Sequence, residues 1–193
     1  MGKPSGKAKK IQITKKATVV APRYIILFQY GSNMDPNRLN SVDRLHGAAE
    51  VIGVGTLKGW GVRFDLYGER AQGGVTDIVP SAREHVDGVL YRVPYRLVVS
   101  PRGQRSRMDE IEGAKLGKKS NYKRKKVLVL REGKKVEART YVGTIAGRNR
   151  FLRRSGEDRR VSVDYFGHVL TGARRFELPA KYIAYLRRQA GFP

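Results

Sequence analysis

Three carboxylates lie close together in the segment MDEIEG, residues 108–113. At 3.6 residues per turn, a helix over this segment would place Glu112 in one arc with the two apolar residues and would direct Asp109 and Glu110 away from it. Removing Glu112 from water would disfavour its charged form and raise its pKa toward neutrality, which suits a general base. The alternative is that Glu112 pairs with one of the many lysines or caps a neighbouring turn.

A second candidate site lies where an apolar stretch ends in small residues. Residues 24–30 (YIILFQY) are rich in β-formers and predict a buried strand, which stops at Gly31-Ser32-Asn33, a run that favours a tight turn. Asp35 and Pro36 follow as a helix cap and a first helical residue. Where a strand is followed by a tight turn and the start of a helix, several backbone N–H groups are unpaired and can bind carboxylate or phosphate oxygens. A plain connecting turn accounts for the same residues.

The rest of the chain supplies the elements that must position these residues. Strands are predicted at 51–57 continuing into 62–66, at 73–80 with Pro80 as the end, at 86–93, at 122–130 and at 136–142. Helices are predicted within 35–45, between a Ser106 cap and Gly113, after Ser162 and from Leu178, and the Arg-rich segment 148–160 is predicted to be a loop. This order predicts an α+β fold, a small mixed β-barrel with flanking helices.

Length and charge set further expectations. The 193 residues fit one domain with a substantial core, which we place at 23–193. Residues 1–22 form a basic tail that we expect to be disordered, because it is rich in Lys and Gly and has no apolar face. The formal net charge of +23 predicts attraction to anions, whether nucleic acid, an acidic membrane surface or an anionic small substrate.

Composition also excludes several kinds of chemistry. The chain has no cysteine, so disulfides, thiol nucleophiles and thiolate metal sites are ruled out. His46, His85 and His168 are far apart and show no ligand spacing, and we therefore predict neither a metal nor an organic cofactor. No apolar run is long enough to cross a bilayer, and no apolar segment follows the basic N-terminus, so we expect a cytoplasmic protein without a membrane partner.

Five blocks of the chain, in order, resemble the γ-glutamyl cyclotransferase-like family. The first is Tyr30-Gly31-Ser32-Asn33-Met34 after an apolar strand, and the central one is segment 108–113 followed by Tyr122 and a strand. The others are 73–75 with 86–91, Tyr165 with 172–173, and 178–182. Gln29 stands where an alanine is common, and Met34 and Met108 stand where leucine is common, so the shape of the pocket is expected to differ.

The resemblance implies both a fold and a reaction. The family's fold is a small mixed barrel with flanking helices, and its reaction is cyclisation of a γ-glutamyl group to 5-oxoproline with release of an amino acid or amine. Carried over by position, Glu112 matches the general acid/base. Tyr30, Gly31, Ser32 and Asn33 match the turn that grips the glutamyl group, and Tyr122 matches an aromatic residue near the pocket.

The sequence is compatible with two other functions. One is a catalytically inactive member of the fold that binds nucleic acid or other anions through the basic tail and the Arg-rich loops, for which we expect weak, nonspecific nucleic-acid binding. The other shares the chemistry but acts on γ-glutamyl amines and so differs only in the leaving group. An intact Glu112 favours an enzyme, whereas the charge favours the binding module.

Overall fold

A computed structural model describes residues 23–117 and 120–193, and within them five strands close into one barrel in the order β1-β3-β2-β4-β5. Neighbouring strands are antiparallel, except that β5 closes the barrel against β1 in parallel. The strands are β1 (Tyr24–Gln29), β2 (Glu50–Gly68), β3 (Gly73–Pro94), β4 (Tyr122–Arg131) and β5 (Lys134–Gly143). The predicted α+β fold, a small mixed barrel with flanking helices, is confirmed.

The helices lie between and after the strands. They are α1 (Pro36–Leu39), α2 (Tyr95–Val98), α3 (Arg107–Ile111), α4 (Ile145–Leu152), α5 (Val163–Arg175) and α6 (Ala180–Ala190), with a 3-10 turn at Ser32–Met34. Polar caps define where several of them begin: Asp35 Oδ1 accepts from Asn37 N at 3.0 Å, and Ser162 Oγ accepts from Tyr165 N at 3.3 Å. None of the helices in the described residues combines the length and apolar composition that crossing a bilayer would require.

Strands β2 and β3 form one long irregular hairpin. Gly53 and Gly59 have φ of +128° and +80° and lie at shifts in register, as expected for bulges. The prediction that Pro80 ends a strand is wrong. Pro80 pairs with Trp60, and the next pair is Lys58 with His85, so β3 bulges outward after the proline and then continues. An exposed proline at a bulge has no ladder hydrogen bond to donate, which explains why it is tolerated there.

The predicted loop at 148–160 is also partly wrong. Its first residues belong to helix α4, whose cap is Thr144: Thr144 Oγ1 accepts from Gly147 N at 2.9 Å. The helix is short and mostly polar, with Phe151 buried, so its apolar periodicity is too weak to reveal it in the sequence. The following residues, 153–162, are irregular as predicted.

One continuous hydrophobic core runs from Ile25 in β1 to Leu186 in α6. The barrel interior is built by fully buried residues of β1 and β3, such as Phe28 and Leu90, and α5 covers the barrel by packing Phe166 edge-on against Phe64. The predicted tail, residues 1–22, lies outside the described residues, so the division of the chain at residue 22 stays a prediction.

Candidate active site

Glu112 is placed by the short helix α3. Ser106 and Asp109 form a reciprocal capping box, with Asp109 Oδ2 accepting from Ser106 N at 2.8 Å. The helix ends at Ile111 with Glu112 as its C-terminal cap, and the predicted terminator Gly113 follows directly, with a φ of +67° that suits glycine. Asp109, however, does not point outward as expected. It is buried, because its carboxylate caps the helix and accepts from Tyr141 Oη at 2.9 Å, whereas Glu110 is exposed.

The Glu112 carboxylate is held through one of its two oxygens. Oε1 accepts hydrogen bonds from Gln29 Nε2 at 3.1 Å and from Asn33 Nδ2 at 2.9 Å. No hydrogen bond from a described residue reaches Oε2. The two amides thus fix the orientation of the carboxylate and leave its second oxygen available to another group.

A buried arginine orients the Asn33 side chain in turn. Arg44 Nη1 donates to Asn33 Oδ1 at 2.9 Å, and this bond directs the Asn33 amide nitrogen toward Glu112. Both Arg44 and Asn33 are buried, so the arrangement is shielded from water. The result is a chain of hydrogen bonds from a guanidinium through an amide to the carboxylate.

Burial raises the pKa of the Glu112 carboxyl above its ordinary value. The hydrogen bonds from Asn33 and Gln29, and then the charges of Arg44 and Arg38, oppose this rise. The residue is half-buried, and protein atoms surround much of its carboxyl group, so desolvation is the dominant effect. A carboxylate with a raised pKa accepts a proton more readily than an ordinary glutamate does.

Buried and partly buried tyrosines form the other side of the site. Tyr30 Oη donates to Tyr141 O at 2.6 Å, and Tyr122 Oη donates to Thr76 O. Tyr165 Oη lies 2.8 Å from Thr76 Oγ1 and accepts from Thr76 N at 3.1 Å. Burial raises the pKa of all four phenols, so they remain neutral and act as walls and hydrogen-bonding groups.

Side chains of β3 and α5 lie so close to Gly31 that a larger residue would not fit there. A Cβ atom at this position would lie 2.1 Å from Thr76 Oγ1, 3.2 Å from Thr76 Cβ and 3.5 Å from Tyr165 Oη. Its φ of −117° is accessible to any residue, so the constraint is space and not backbone strain. The turn at Ser32–Met34, closed by Met34 N donating to Gly31 O at 2.9 Å, therefore sits directly against the tyrosine wall.

Two connected spaces meet at Glu112. A small pocket of about 30 Å³ is enclosed by the turn and the tyrosines, and a large cavity of about 580 Å³ opens in front of it. Five residues line both: Ser32, Asn33, Glu112, Tyr122 and Tyr165. Glu112 can therefore act on a group that extends from the cavity into the pocket.

The sequence-predicted site residues are all brought together by the fold. Every one of them lines the small pocket: Tyr30, Gly31, Ser32, Asn33, Glu112 and Tyr122. The roles assigned to them stay predictions. Sequence reasoning did not assign roles to Gln29, Thr76, Tyr141 and Arg44, and it used Tyr165 only as a family match. The role of Gln29 could have been predicted, because a polar side chain at the end of an apolar strand needs a buried hydrogen-bond partner.

Among residues 23–117 and 120–193, no group of three or more acidic or histidine side chains is arranged to hold a metal ion.

Comparison with known proteins identifies the family. The family model for γ-glutamyl cyclotransferase, AIG2-like, matches residues 27–161, well over half of the chain. The chain therefore belongs to the γ-glutamyl cyclotransferase, AIG2-like family. No curated protein matches its sequence.

Solved structures share the fold. A structure titled γ-glutamyl cyclotransferase is similar with a TM-score of 0.64 at 23% identity, over 85% of this chain and 86% of that one. An uncharacterized human protein is similar with a TM-score of 0.64 at 25% identity, over 86% of this chain and 88% of that one. YkqA from Bacillus subtilis has a TM-score of 0.63 at 22% identity, over 88% of this chain but only 55% of its own.

Proposed function

We propose that this protein is an enzyme that cyclises a γ-glutamyl group to 5-oxoproline and releases the attached amine, with Glu112 as the general acid/base. The observation that carries the proposal is the Glu112 carboxylate: Oε1 is fixed by two amides, and Oε2 is left for a substrate at the junction of pocket and cavity. The family to which the chain belongs supports the same reaction.

The chemistry requires protons to leave the attacking nitrogen and one proton to reach the leaving nitrogen. The α-ammonium of the γ-glutamyl group loses one proton to the Glu112 carboxylate, and its nitrogen then attacks its own γ-carbonyl carbon. The carboxylate, whose pKa is raised, returns this proton to the leaving nitrogen as the bond from that carbon to the leaving nitrogen breaks. The attacking nitrogen loses a second proton, to solvent, as it becomes the lactam nitrogen, so no water is consumed.

Positioning is the second requirement. The first amide N–H groups of a helical turn have no acceptor within that turn, and Gly31, Ser32 and Asn33 all line the small pocket. Donors there would hold a substrate oxygen and keep the α-amine close to the γ-carbonyl. The tyrosines, including the partly buried Tyr122, would exclude water from the reacting atoms.

Incubation with a panel of γ-glutamyl amino acids, dipeptides and amines tests the proposal. We expect 5-oxoproline from at least one member, detected by mass spectrometry together with the released amine. If correctly folded protein forms no 5-oxoproline from any member of the panel, the proposed function is wrong. The member with the highest kcat/KM identifies the leaving group, and the cytoplasmic location stays a prediction.

The decline of kcat/KM at acidic pH, the acid limb of the pH profile, should reflect protonation of Glu112. Because kcat/KM falls when the base is protonated, its decline on acidification should lie above the ordinary pKa of a glutamate. Gln29→Leu removes a donor that lowers the Glu112 pKa, so the limb should move to still higher pH. Glu110→Gln, at an exposed carboxylate two residues away, should leave the limb in place. An unmoved limb in Gln29→Leu would contradict the assignment of Glu112 as the base.

A specific surface favours nucleic-acid binding as a second candidate function. The β4–β5 hairpin carries five exposed lysines: Lys123, Lys125, Lys126, Lys134 and Lys135. We expect this hairpin to bind duplex or single strands weakly, with an affinity that falls steeply with salt and vanishes near physiological ionic strength. Titration at several salt concentrations checks this. Tight binding at physiological salt, together with no 5-oxoproline from the panel, would favour the binding module.

A further inference from the structure

The large cavity in front of Glu112 is strongly cationic. Of the described residues that line it, six are basic and three are acidic, and Glu112 is one of those three. The basic residues are Arg38, Arg44, Arg70, Lys115, Arg150 and Arg154. Arginine stays protonated throughout the physiological pH range, so the cavity wall presents a fixed positive potential to any molecule that enters.

Two of these arginines have no carboxylate partner within the chain. Among the described residues, neither Arg38 nor Arg44 forms an ion pair, and the residues outside the described ranges contain no Asp or Glu. Two other arginines of the cavity are partly compensated: Arg154 lies 3.6 Å from Glu69 Oε1, and Arg70 lies 3.7 Å from Asp43 Oδ2. Arg38 and Arg44 are partly or fully buried and have no such ion pair, which is costly unless a ligand supplies one.

The charges of both side chains act on Glu112, and both side chains line the same cavity as Glu112. Arg44 is 8% exposed and is one amide side chain away from the carboxylate, through Asn33. Arg38 extends from α1, is half-buried, and has a buried Nε with no hydrogen-bond partner. Burial, followed by the nearby charge of Arg38, lowers the pKa of the Arg44 guanidinium, so the two cations are close enough to repel each other. A carboxylate between them would relieve both the repulsion and the unsatisfied donor.

The position of the pair determines which part of a substrate it meets. Arg38 and Arg44 line the large cavity but are not among the residues that line the small pocket. In the proposed reaction the scissile bond lies at Glu112, where the two spaces meet. With the glutamyl group held by the turn on the pocket side, the leaving group extends into the cavity and reaches the arginines.

We propose that Arg38 and Arg44 form a subsite for the side-chain carboxylate of the leaving group, and that the preferred substrate is a γ-glutamyl conjugate of an acidic amino acid. This inference rests on the proposed cyclotransfer and names its substrate class. The α-amine nitrogen forms a bond to the γ-carbon, the bond from that carbon to the nitrogen of the acidic amino acid breaks, and Glu112 passes one proton from the first nitrogen to the second.

The closest test compares γ-glutamyl-glutamate with γ-glutamyl-glutamine, which have nearly the same shape and differ by one negative charge. With kcat/KM measured from 5-oxoproline release, the wild-type protein should prefer the glutamate conjugate by about tenfold or more, as expected for a charge-assisted hydrogen-bonded pair. Arg38→Met should bring this ratio close to one. Arg83→Met, which removes an equal charge from an exposed residue outside the cavity, should preserve the ratio.

Each other outcome overturns the subsite. A wild-type ratio near one, an equal loss for both substrates in Arg38→Met, or the same change of ratio in Arg83→Met would each assign the arginines another role while leaving cyclotransfer intact. No 5-oxoproline from either conjugate or from the wider panel would instead remove the proposed function and this inference with it. Arg38→Gln serves as a second variant if Arg38→Met does not fold, and the wild-type ratio needs no variant.

Discussion

Glu112→Gln should lower kcat for 5-oxoproline formation by about 10² to 10⁴-fold, the range contributed by a positioned general acid/base. Glutamine has the same shape as glutamate, and its side-chain oxygen can still accept from Gln29 and Asn33, so the pocket should persist. It cannot accept the proton of the α-ammonium at neutral pH. The measurement is single-substrate kinetics with the fastest member of the panel.

Glu110→Gln is the matched control, because it makes the same chemical change two residues away on an exposed side chain that pairs with Arg107 at 2.9 Å. We expect its kcat to stay within about twofold of wild type, since exposed ion pairs contribute little. Full activity in Glu112→Gln, or loss of activity in Glu110→Gln alone, would show that another group is the base.

The stability of Glu112→Gln provides an independent check. The folded-state pKa of Glu112 is raised, so the folded protein binds a proton more readily than the unfolded chain does. The contribution of Glu112 to the free energy of unfolding is largest below its pKa in the unfolded chain. It therefore decreases as the pH rises from there through the higher pKa of Glu112 in the folded protein. A neutral glutamine avoids this cost, so the variant should melt at the same temperature as wild type or higher at neutral pH, with the gain shrinking on acidification.

Gly31→Ala should impair the site through one defined collision. Its Cβ would lie 2.1 Å from Thr76 Oγ1, so the threonine must rotate and break its contact with Tyr165, or the turn must move away from β3. Either response displaces the turn that is proposed to hold the glutamyl group. We expect a rise in KM of about tenfold or more, and a cost in stability of about 1–3 kcal/mol, as is usual for overpacking.

A double-mutant cycle with Thr76→Ala isolates that collision. Thr76→Ala removes Oγ1 and leaves only the 3.2 Å contact of Cβ, so adding Gly31→Ala to this background should cost much less stability than it does in the wild type. Melting curves of the four proteins measure the coupling. Equal costs in both backgrounds would show that Gly31 is required for a reason other than the space beside Thr76.

Local chemistry explains which parts of the fold could be predicted from the sequence. The Ser106 cap and the Gly113 end defined α3 because both act within a few residues of chain, and the strand before Gly31 was evident from its unbroken apolar run. Pro80 and α4 were mispredicted because their outcome depends on tertiary context: a bulge accommodates the proline, and packing of Phe151 supports a helix with little apolar pattern.

The same distinction applies to the site. Helical spacing placed Glu112 correctly at the apolar side of α3, but it misplaced Asp109, whose burial depends on Tyr141 from a distant strand. The net charge predicted an anionic partner without saying where it would bind. Only the fold brings Arg38 and Arg44 to the cavity that Glu112 lines, because the two arginines are more than sixty residues from Glu112 in the sequence, and Arg44 reaches it through Asn33.

The source of the product's oxygen atoms tests the central claim most directly. The best γ-glutamyl substrate should be turned over in H₂¹⁸O and the products analysed by mass spectrometry. Attack by the substrate's own α-amine predicts 5-oxoproline and free amine in equal amounts, with no ¹⁸O in either. Glutamate that carries ¹⁸O in its γ-carboxylate would mean that water is the nucleophile, and it would contradict the role proposed for Glu112 and for the turn beside it.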